Sequence, residues 1–291
     1  MSVALLFPGQ GSQEVGMAEL VERERPDLAA LARELVGTDL FARMDEGTRF
    51  LQPAIFCASL ALAAYATNGE PECAAGHSLG ELSALVAAGA IAEEDGLRLV
   101  ALRGRLMDEA GQRRPGGMLA VGDAAEAEQL AVCFGLAVAN DNSPRQVALA
   151  GDDASVDAAV EDARARRVRA TRLPVKGAFH SPAMEPAVEP FAAALANVEI
   201  RTPRFTVFSA ATARPFDDVR LRLAEALTGP VRWRETVIAM DLAGAERFID
   251  VGPGRVLAGL VRRILPGAEA VSIASAAAPG EPKLVATAAA T

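Results

Sequence analysis

Residues 72–88 read Glu72-Cys73-Ala74-Ala75-Gly76-His77-Ser78-Leu79-Gly80-Glu81-Leu82-Ser83-Ala84-Leu85-Val86-Ala87-Ala88, and the fold turns on how this stretch bends. Residues 72–75 carry a short strand signal and residues 81–88 a helix signal. Between them Gly76-His77-Ser78-Leu79-Gly80 matches G-x-S-x-G. Two glycines allow a turn sharp enough to lift Ser78 out of the backbone at a helix N-terminus. There the amide of Leu79 is placed to stabilise a developing oxyanion. Chance is the plain alternative in a chain with 25 glycines, but the strand-turn-helix setting favours a nucleophile.

A strand that hands over to a helix is one unit of a parallel α/β sheet, and the flanks repeat it. Residues 3–7 form an apolar strand closed by Pro8-Gly9. Helical periodicity covers 19–35, resumes after Gln52-Pro53 and returns over 92–109. The pattern changes after Arg113-Arg114-Pro115-Gly116-Gly117. Strands at 118–121, 136–139, 146–150 and 169–175, with helices at 124–134 and 154–166, give the split β-α-β-β-α-β order of a ferredoxin-like unit. The expected organisation is therefore a parallel α/β core over 1–115 and 178–291, with an inserted ferredoxin-like subdomain at 116–177. A later strand, 247–251, ends in Gly252-Pro253-Gly254. The tail from Ala276, rich in Ala and Pro, is expected to pack weakly.

A nucleophilic serine needs a base. The chain has two histidines, His77 and His180, so a multi-histidine zinc site is excluded. His77 adjoins Ser78, and the turn should aim its side chain elsewhere. That leaves His180, in Gly177-Ala178-Phe179-His180-Ser181-Pro182, just past a predicted strand end where loops carry function. A structural histidine is the duller reading.

Arg103 is the most informative charge. Its neighbours one turn away are Leu99, Val100, Leu106 and Met107, so it sits in an apolar stripe, whereas Arg105 faces Ala101, Asp108 and Glu109. A buried guanidinium demands an anion. Two readings stand level: a structural salt bridge, or a two-pronged clamp for a substrate carboxylate. The loop Pro8-Gly9-Gln10-Gly11-Ser12-Gln13 fails as a dinucleotide loop, because the third glycine would fall at Glu14. It still exposes amides near a strand end.

Composition narrows the class. At 51% hydrophobic and 23% charged the chain is too apolar for disorder. A net charge of −9 argues against nucleic acid. No apolar run is long enough for a membrane span, and no basic leader precedes Val3. Cys57, Cys73 and Cys133 are too scattered for a disulfide framework or metal site, which suits a reducing cytoplasm.

Seven blocks together resemble the malonyl-CoA:acyl carrier protein transacylases and the acyltransferase domains of polyketide synthases. They are Leu6 to Gln13, Gln52-Pro53-Ala54, Gly76 to Glu81, Leu102-Arg103-Gly104, Asn142-Ser143-Pro144, Phe179-His180-Ser181 and Val251-Gly252-Pro253-Gly254. The resemblance implies that the core is α/β-hydrolase-like, with Ser78 as nucleophile, His180 as base, and the amides of Gln10 and Leu79 as oxyanion hole. It implies that Arg103 grips the malonyl carboxylate and Gln52 lines the pocket. A backbone carbonyl would orient His180 where many hydrolases use an Asp. The segment that supplies it reads Leu227-Thr228-Gly229-Pro230-Val231-Arg232-Trp233, with Gly229 in place of the family's Asn and Ala226 in place of a frequent Gln. Phe179 resembles the aromatic residue of malonyl-selective members and would crowd an α-methyl group.

The substrates implied are a coenzyme A thioester and a phosphopantetheinylated acyl carrier protein, with no metal and no bound cofactor, in a cytoplasmic monomer. Carrier proteins are usually acidic. Arg164, Arg166, Arg167, Arg169, Arg172 and Lys176 could dock one, or form a solvated face. The rivals are a serine esterase or thioesterase, a non-catalytic relative, and a malonyl transferase serving a malonate decarboxylase carrier.

Overall fold

The computed structural model describes residues 2–66, 70–274 and 283–285. Strand β1, Val3–Phe7, is apolar throughout, as a strand covered on both faces must be. Helix α1, Met17–Glu24, and helix α2, Pro26–Val36, follow it. These divide the single helix expected over 19–35. Arg25 leaves the helical region (φ −142°, ψ 60°) because it precedes Pro26, which starts the new helix. Helix α3, Thr48–Ala63, starts a turn earlier than expected and takes Pro53 inside. It is buried on nearly every side, which outweighs the hydrogen bond that proline removes.

Strand β2, Cys73–Gly76, then feeds α4, Gly80–Ala87, and α5, Glu93–Arg113. The next unit comprises β3 (Gly116–Val121), α6 (Ala124–Phe134), β4 (Ala137–Ser143), β5 (Gln146–Asp152), α7 (Asp153–Ala165) and β6 (Ala170–Arg172). Its antiparallel sheet has the order β4-β5-β3-β6, which is the ferredoxin-like arrangement. Strand β6 is shorter than the expected 169–175, since Pro174 has no amide to continue the ladder. Strand β4 runs past the expected Ala139 through Asn140, Asp141 and Asn142, with two register shifts. Those polar residues hid the strand. Their partners come from distant elements: Asn140 bridges Val231, and Asp141 pairs through Oδ2 with Arg234 at 2.6 Å.

The chain returns through α8 (Glu185–Ala196), β7 (Thr206–Ser209), β8 (Arg214–Pro215), α9 (Val219–Glu225), α10 (Trp233–Leu242), β9 (Arg247–Asp250), α11 (Val256–Ile264), β10 (Glu269–Ala274) and β11 (Lys283–Val285). The large sheet has the order β11-β10-β9-β1-β2-β7-β8, parallel from β10 to β7 with antiparallel edges. Alternation along β1 splits the core. Leu5 and Phe7 join the cluster formed with α3 and α5, while Ala4 and Leu6 join Trp233, Val237 and Leu257. The carboxyl ends of β1, β2 and β9 thus deliver Pro8–Gln13, the Ser78 turn and Gly252–Gly254 to one crevice, where open α/β sheets bind ligands. Apart from Lys283–Val285, which pairs with β10, the tail expected to pack weakly lies outside the described residues.

Candidate active site

Steric demand at the Ser78 turn explains its glycines. A Cβ on Gly76 would lie 1.9 Å from the carbonyl carbon of Gly80, and one on Gly80 would lie 2.0 Å from the oxygen of Phe7. No other residue type fits either place. Ser78 is held at φ 57°, in the left-handed region that side chains avoid. Its Oγ lies 2.8 Å from Nε2 of His180.

His180 is buried, and its Nδ1 donates to the Ala226 carbonyl at 2.8 Å. A carbonyl only accepts, so Nδ1 carries the proton and Nε2 faces Ser78 with a free lone pair. Burial and the nearby charge of Arg103 hold the imidazole down to about 3, against a smaller upward pull from the Ala226 and Gly229 carbonyls. At neutral pH it is unprotonated and ready to accept. Ala226, which stands where the family often has Gln, thus supplies its backbone rather than a side chain.

Arg103 is 3% exposed and makes no ion pair among the described residues. Its Nη1 donates to Gln52 Oε1 at 2.8 Å and its Nη2 to Ser78 Oγ at 3.1 Å. Desolvation lowers it to about 10, with the Glu81 charge opposing, so it stays cationic at neutral pH. The structural salt bridge that was one of two readings is not formed among the described residues. Arg105, by contrast, is half exposed beside Glu109. Gln52 Nε2 continues the chain to Gln10 Oε1 and to the Met107 sulfur, each at 3.3 Å, and Gln10 Nε2 donates to Thr48 at 3.0 Å. The Gln10 loop packs directly on the serine turn: a Cβ on Gly9 would lie 2.7 Å from the His77 carbonyl. A half-buried serine hydrogen-bonded to a buried histidine, with a guanidinium on the serine oxygen that forms no ion pair among the described residues, is equipped for acyl transfer from a carboxylate-bearing thioester.

Residues 4–283 match the acyl transferase domain family. The chain belongs to that family. This acyltransferase is 37% identical to the malonyl CoA-acyl carrier protein transacylase of Haemophilus influenzae, over 93% of this chain and 94% of the other. It is 42% identical to the polyketide biosynthesis protein ThaF of Burkholderia thailandensis over 94% of this chain, but spans only 25% of that protein. Among solved structures, a malonyl-transacylase in complex with its type II polyketide synthase acyl carrier protein superposes with a TM-score of 0.85 at 33% identity, covering 94% and 96% of the two chains.

A cavity of about 660 Å³ opens between the two sheets of the acyltransferase. Gln10 and His77, which adjoin the serine turn, line its inner end, and Lys176, Asp108, Val256 and Leu260 line its walls. His77 points away from Ser78, as its place on the turn required. It donates from Nε2 to Asn142 on β4 at 2.7 Å and packs edge-on against Trp233, ring centres 5.5 Å apart. Phe179 is 5% exposed and lies against Gly177, where a Cβ would come within 2.9 Å of its ring.

The arginine cluster is divided. Arg166 pairs with Glu126 and Asp162, and Arg172 with Asp153 and Asp157, so both charges serve the small sheet's own helices. Arg164, Arg167 and Arg169 are exposed, and Lys176 reaches the cavity. Sequence reasoning missed Glu81 and Asn142 as site residues, although both stood inside matched blocks, and that was the available signal. The backbone carbonyl expected to orient His180 is that of Ala226, the residue just before the Leu227–Trp233 segment. No group of three or more His, Cys, Asp or Glu among the described residues is placed to hold a metal, and no helix among them is long and apolar enough to cross a membrane.

Proposed function

We propose that this acyltransferase moves a malonyl group from coenzyme A to the phosphopantetheine thiol of an acyl carrier protein through an ester on Ser78. Arg103 carries the reading: a buried cation that forms no ion pair among the described residues, 3.1 Å from the serine oxygen. In the first half-reaction His180 Nε2 takes the Ser78 proton and the oxygen attacks the thioester carbonyl. The amides of Leu79 and Gln10 receive the oxyanion. The C–S bond breaks, and coenzyme A leaves with the proton from His180. The carrier's thiol then gives its proton to His180, attacks the ester and restores the Ser78 hydroxyl.

The substrate's own carboxylate assists. Arg103 depresses the His180 basicity, and a malonyl carboxylate on Arg103 offsets that charge. The base therefore strengthens when the right acyl group is bound. The relative solved with its carrier supports a carrier protein as acceptor. For its acidic surface we retain Arg164, Arg167, Arg169 and Lys176, which make no ion pair among the described residues. The same reading keeps the enzyme in a reducing cytoplasm, with Cys57, Cys73 and Cys133 as free thiols.

Intact mass spectrometry after mixing with malonyl-CoA tests the class and the nucleophile together. A malonyl adduct on the wild type that disappears in Ser78→Ala is the expected result. No adduct on the wild type, or one that survives in the variant, sinks the reading.

A further inference from the structure

One buried acid stands against this site without a part in the proton transfer. Glu81 lies one turn past Ser78 on α4, is 2% exposed, and its amide donates to the Ser78 carbonyl at 3.1 Å. Its Oε1 accepts from the Ser209 hydroxyl at 3.1 Å and the Ala210 amide at 2.8 Å. The Ala210 carbonyl in turn accepts from the Arg232 amide at 2.7 Å. Arg232 ends the short segment that leaves α9 at Ala226, and the Ala226 carbonyl holds His180. The contacts therefore close into a ring: Ser78, its own helix, Glu81, Ala210, Arg232, Ala226, His180, and Ser78 again. Such a ring can set the distance between two groups that lie 102 residues apart in the chain.

We propose that Glu81 is a positioning residue for the acyl transfer: its carboxyl oxygen, by holding Ser209 and Ala210, keeps the Ala226 carbonyl and so His180 within hydrogen-bonding distance of Ser78. The inference rests on the serine–histidine pair of the function proposed above, not on the identity of the acyl group. The competing role, a charge partner for Arg103, lacks a direct contact, since Arg103 donates to Gln52 and Ser78 instead. Burial pushes the Glu81 carboxyl up to about 7, so a neutral acceptor there is close to the native state.

Two substitutions separate reach from charge. Glu81→Asp keeps the charge and shortens the side chain by one methylene. Glu81→Gln keeps the length and the accepting oxygen and removes the charge. Each variant, beside the wild type, is treated with a fluorophosphonate, which bonds phosphorus to Ser78 Oγ and displaces fluoride as His180 takes the proton. The maximal rate, kinact, and the half-saturating concentration, KI, are read separately by intact mass. Glu81→Asp is expected to slow kinact roughly 30-fold with KI changed less than about threefold, the mark of a displaced base. Glu81→Gln is expected to recover the rate to within about fivefold of wild type, since both donors keep an acceptor. A loss of folded protein lowers the amount that reacts, not the kinact of what does react. An Asp variant at the wild-type rate overturns the proposal, and so does a Gln variant as slow as or slower than the Asp variant. The probe carries no malonyl group, so a wild type that takes phosphonate and refuses malonyl removes the acyl-donor reading and leaves Glu81 judged on its own.

Discussion

Single side chains decide the chemistry of this enzyme. Removing the Arg103 guanidinium takes away a buried, hydrogen-bonded charge partner, a loss of ~2–5 kcal/mol in comparable pairs. Arg103→Ala is therefore expected to cut kcat/KM for malonyl-CoA by about 30-fold or more. Acetyl-CoA, which has no carboxylate to lose, should suffer far less, because the charge that weakens His180 goes with the side chain. Equal losses for both substrates would refute the clamp. Phe179, which matches the aromatic residue of malonyl-selective relatives in the resemblance above, is buried next to His180 in the chain. Phe179→Ser is expected to narrow the preference for malonyl-CoA over methylmalonyl-CoA by about tenfold, the scale of one methyl group's fit. An unchanged ratio of kcat/KM values would show that the aromatic ring does not set it.

At the scale of elements, helical glycines give opposite forecasts. Helix propensity alone favours Ala over Gly by roughly 1 kcal/mol. At Gly259, in the middle of α11, an added Cβ meets nothing within 4 Å. Gly259→Ala should stabilise the protein and raise Tm by a few degrees, about 2–4 °C per kcal/mol at this size. At Gly80 the same substitution drives a methyl to 2.0 Å from the Phe7 carbonyl, where α4 crosses β1. The backbone there cannot yield, so the clash wins over propensity. Gly80→Ala is expected to lower Tm by more than about 5 °C. Calorimetry on both variants decides, and a shared sign would show that the helix–strand contact does not govern.

Across the whole molecule, buried ionisable groups give the stability a pH dependence of mixed sign. Burial pushes Asp250 and Glu81 up to about 7, from ordinary values of 3.8 and 4.5. Between those limits the folded state binds more protons, so these acids contribute stability that is lost as pH rises from about 4 to about 7. His180, lowered from 6.5 to about 3, acts in the other sense: the unfolded state binds more protons, and its contribution grows as pH rises through about 3 to 6.5. The two trends oppose each other, and removing one exposes the other. Asp250 Oδ2 accepts from the Ala258 amide near the start of α11 at 3.0 Å, while its Oδ1 has no hydrogen-bond partner among the described residues. Asp250→Asn retains an acceptor for Ala258 and removes the charge. The Tm of this variant relative to wild type should climb as pH goes from 5 to 8. A flat or falling difference would refute a strained carboxylate at that position.

Much of the site was legible in the sequence because adjacent residues encode it. The Ser78 turn needs Gly76 because a Cβ there would strike Gly80 four residues on, and two histidines left one candidate for the base; the demand at Gly80 comes from Phe7 on β1 and is tertiary. The order of strands and helices in the small sheet followed from local periodicity alone. The helix break at Arg25 and the polar stretch of β4 were misread, since Pro26 acts through its neighbour and Asn140 and Asp141 find their partners only in distant elements. Whether Arg103 had a salt-bridge partner was likewise open until packing placed Gln52 and Ser78 against it. The carbonyl that orients His180 lies 46 residues away, and the amide that holds Glu81 lies 129 away. Contacts of that range depend on which strands become neighbours in the sheet, and no local pattern of residues carries that information.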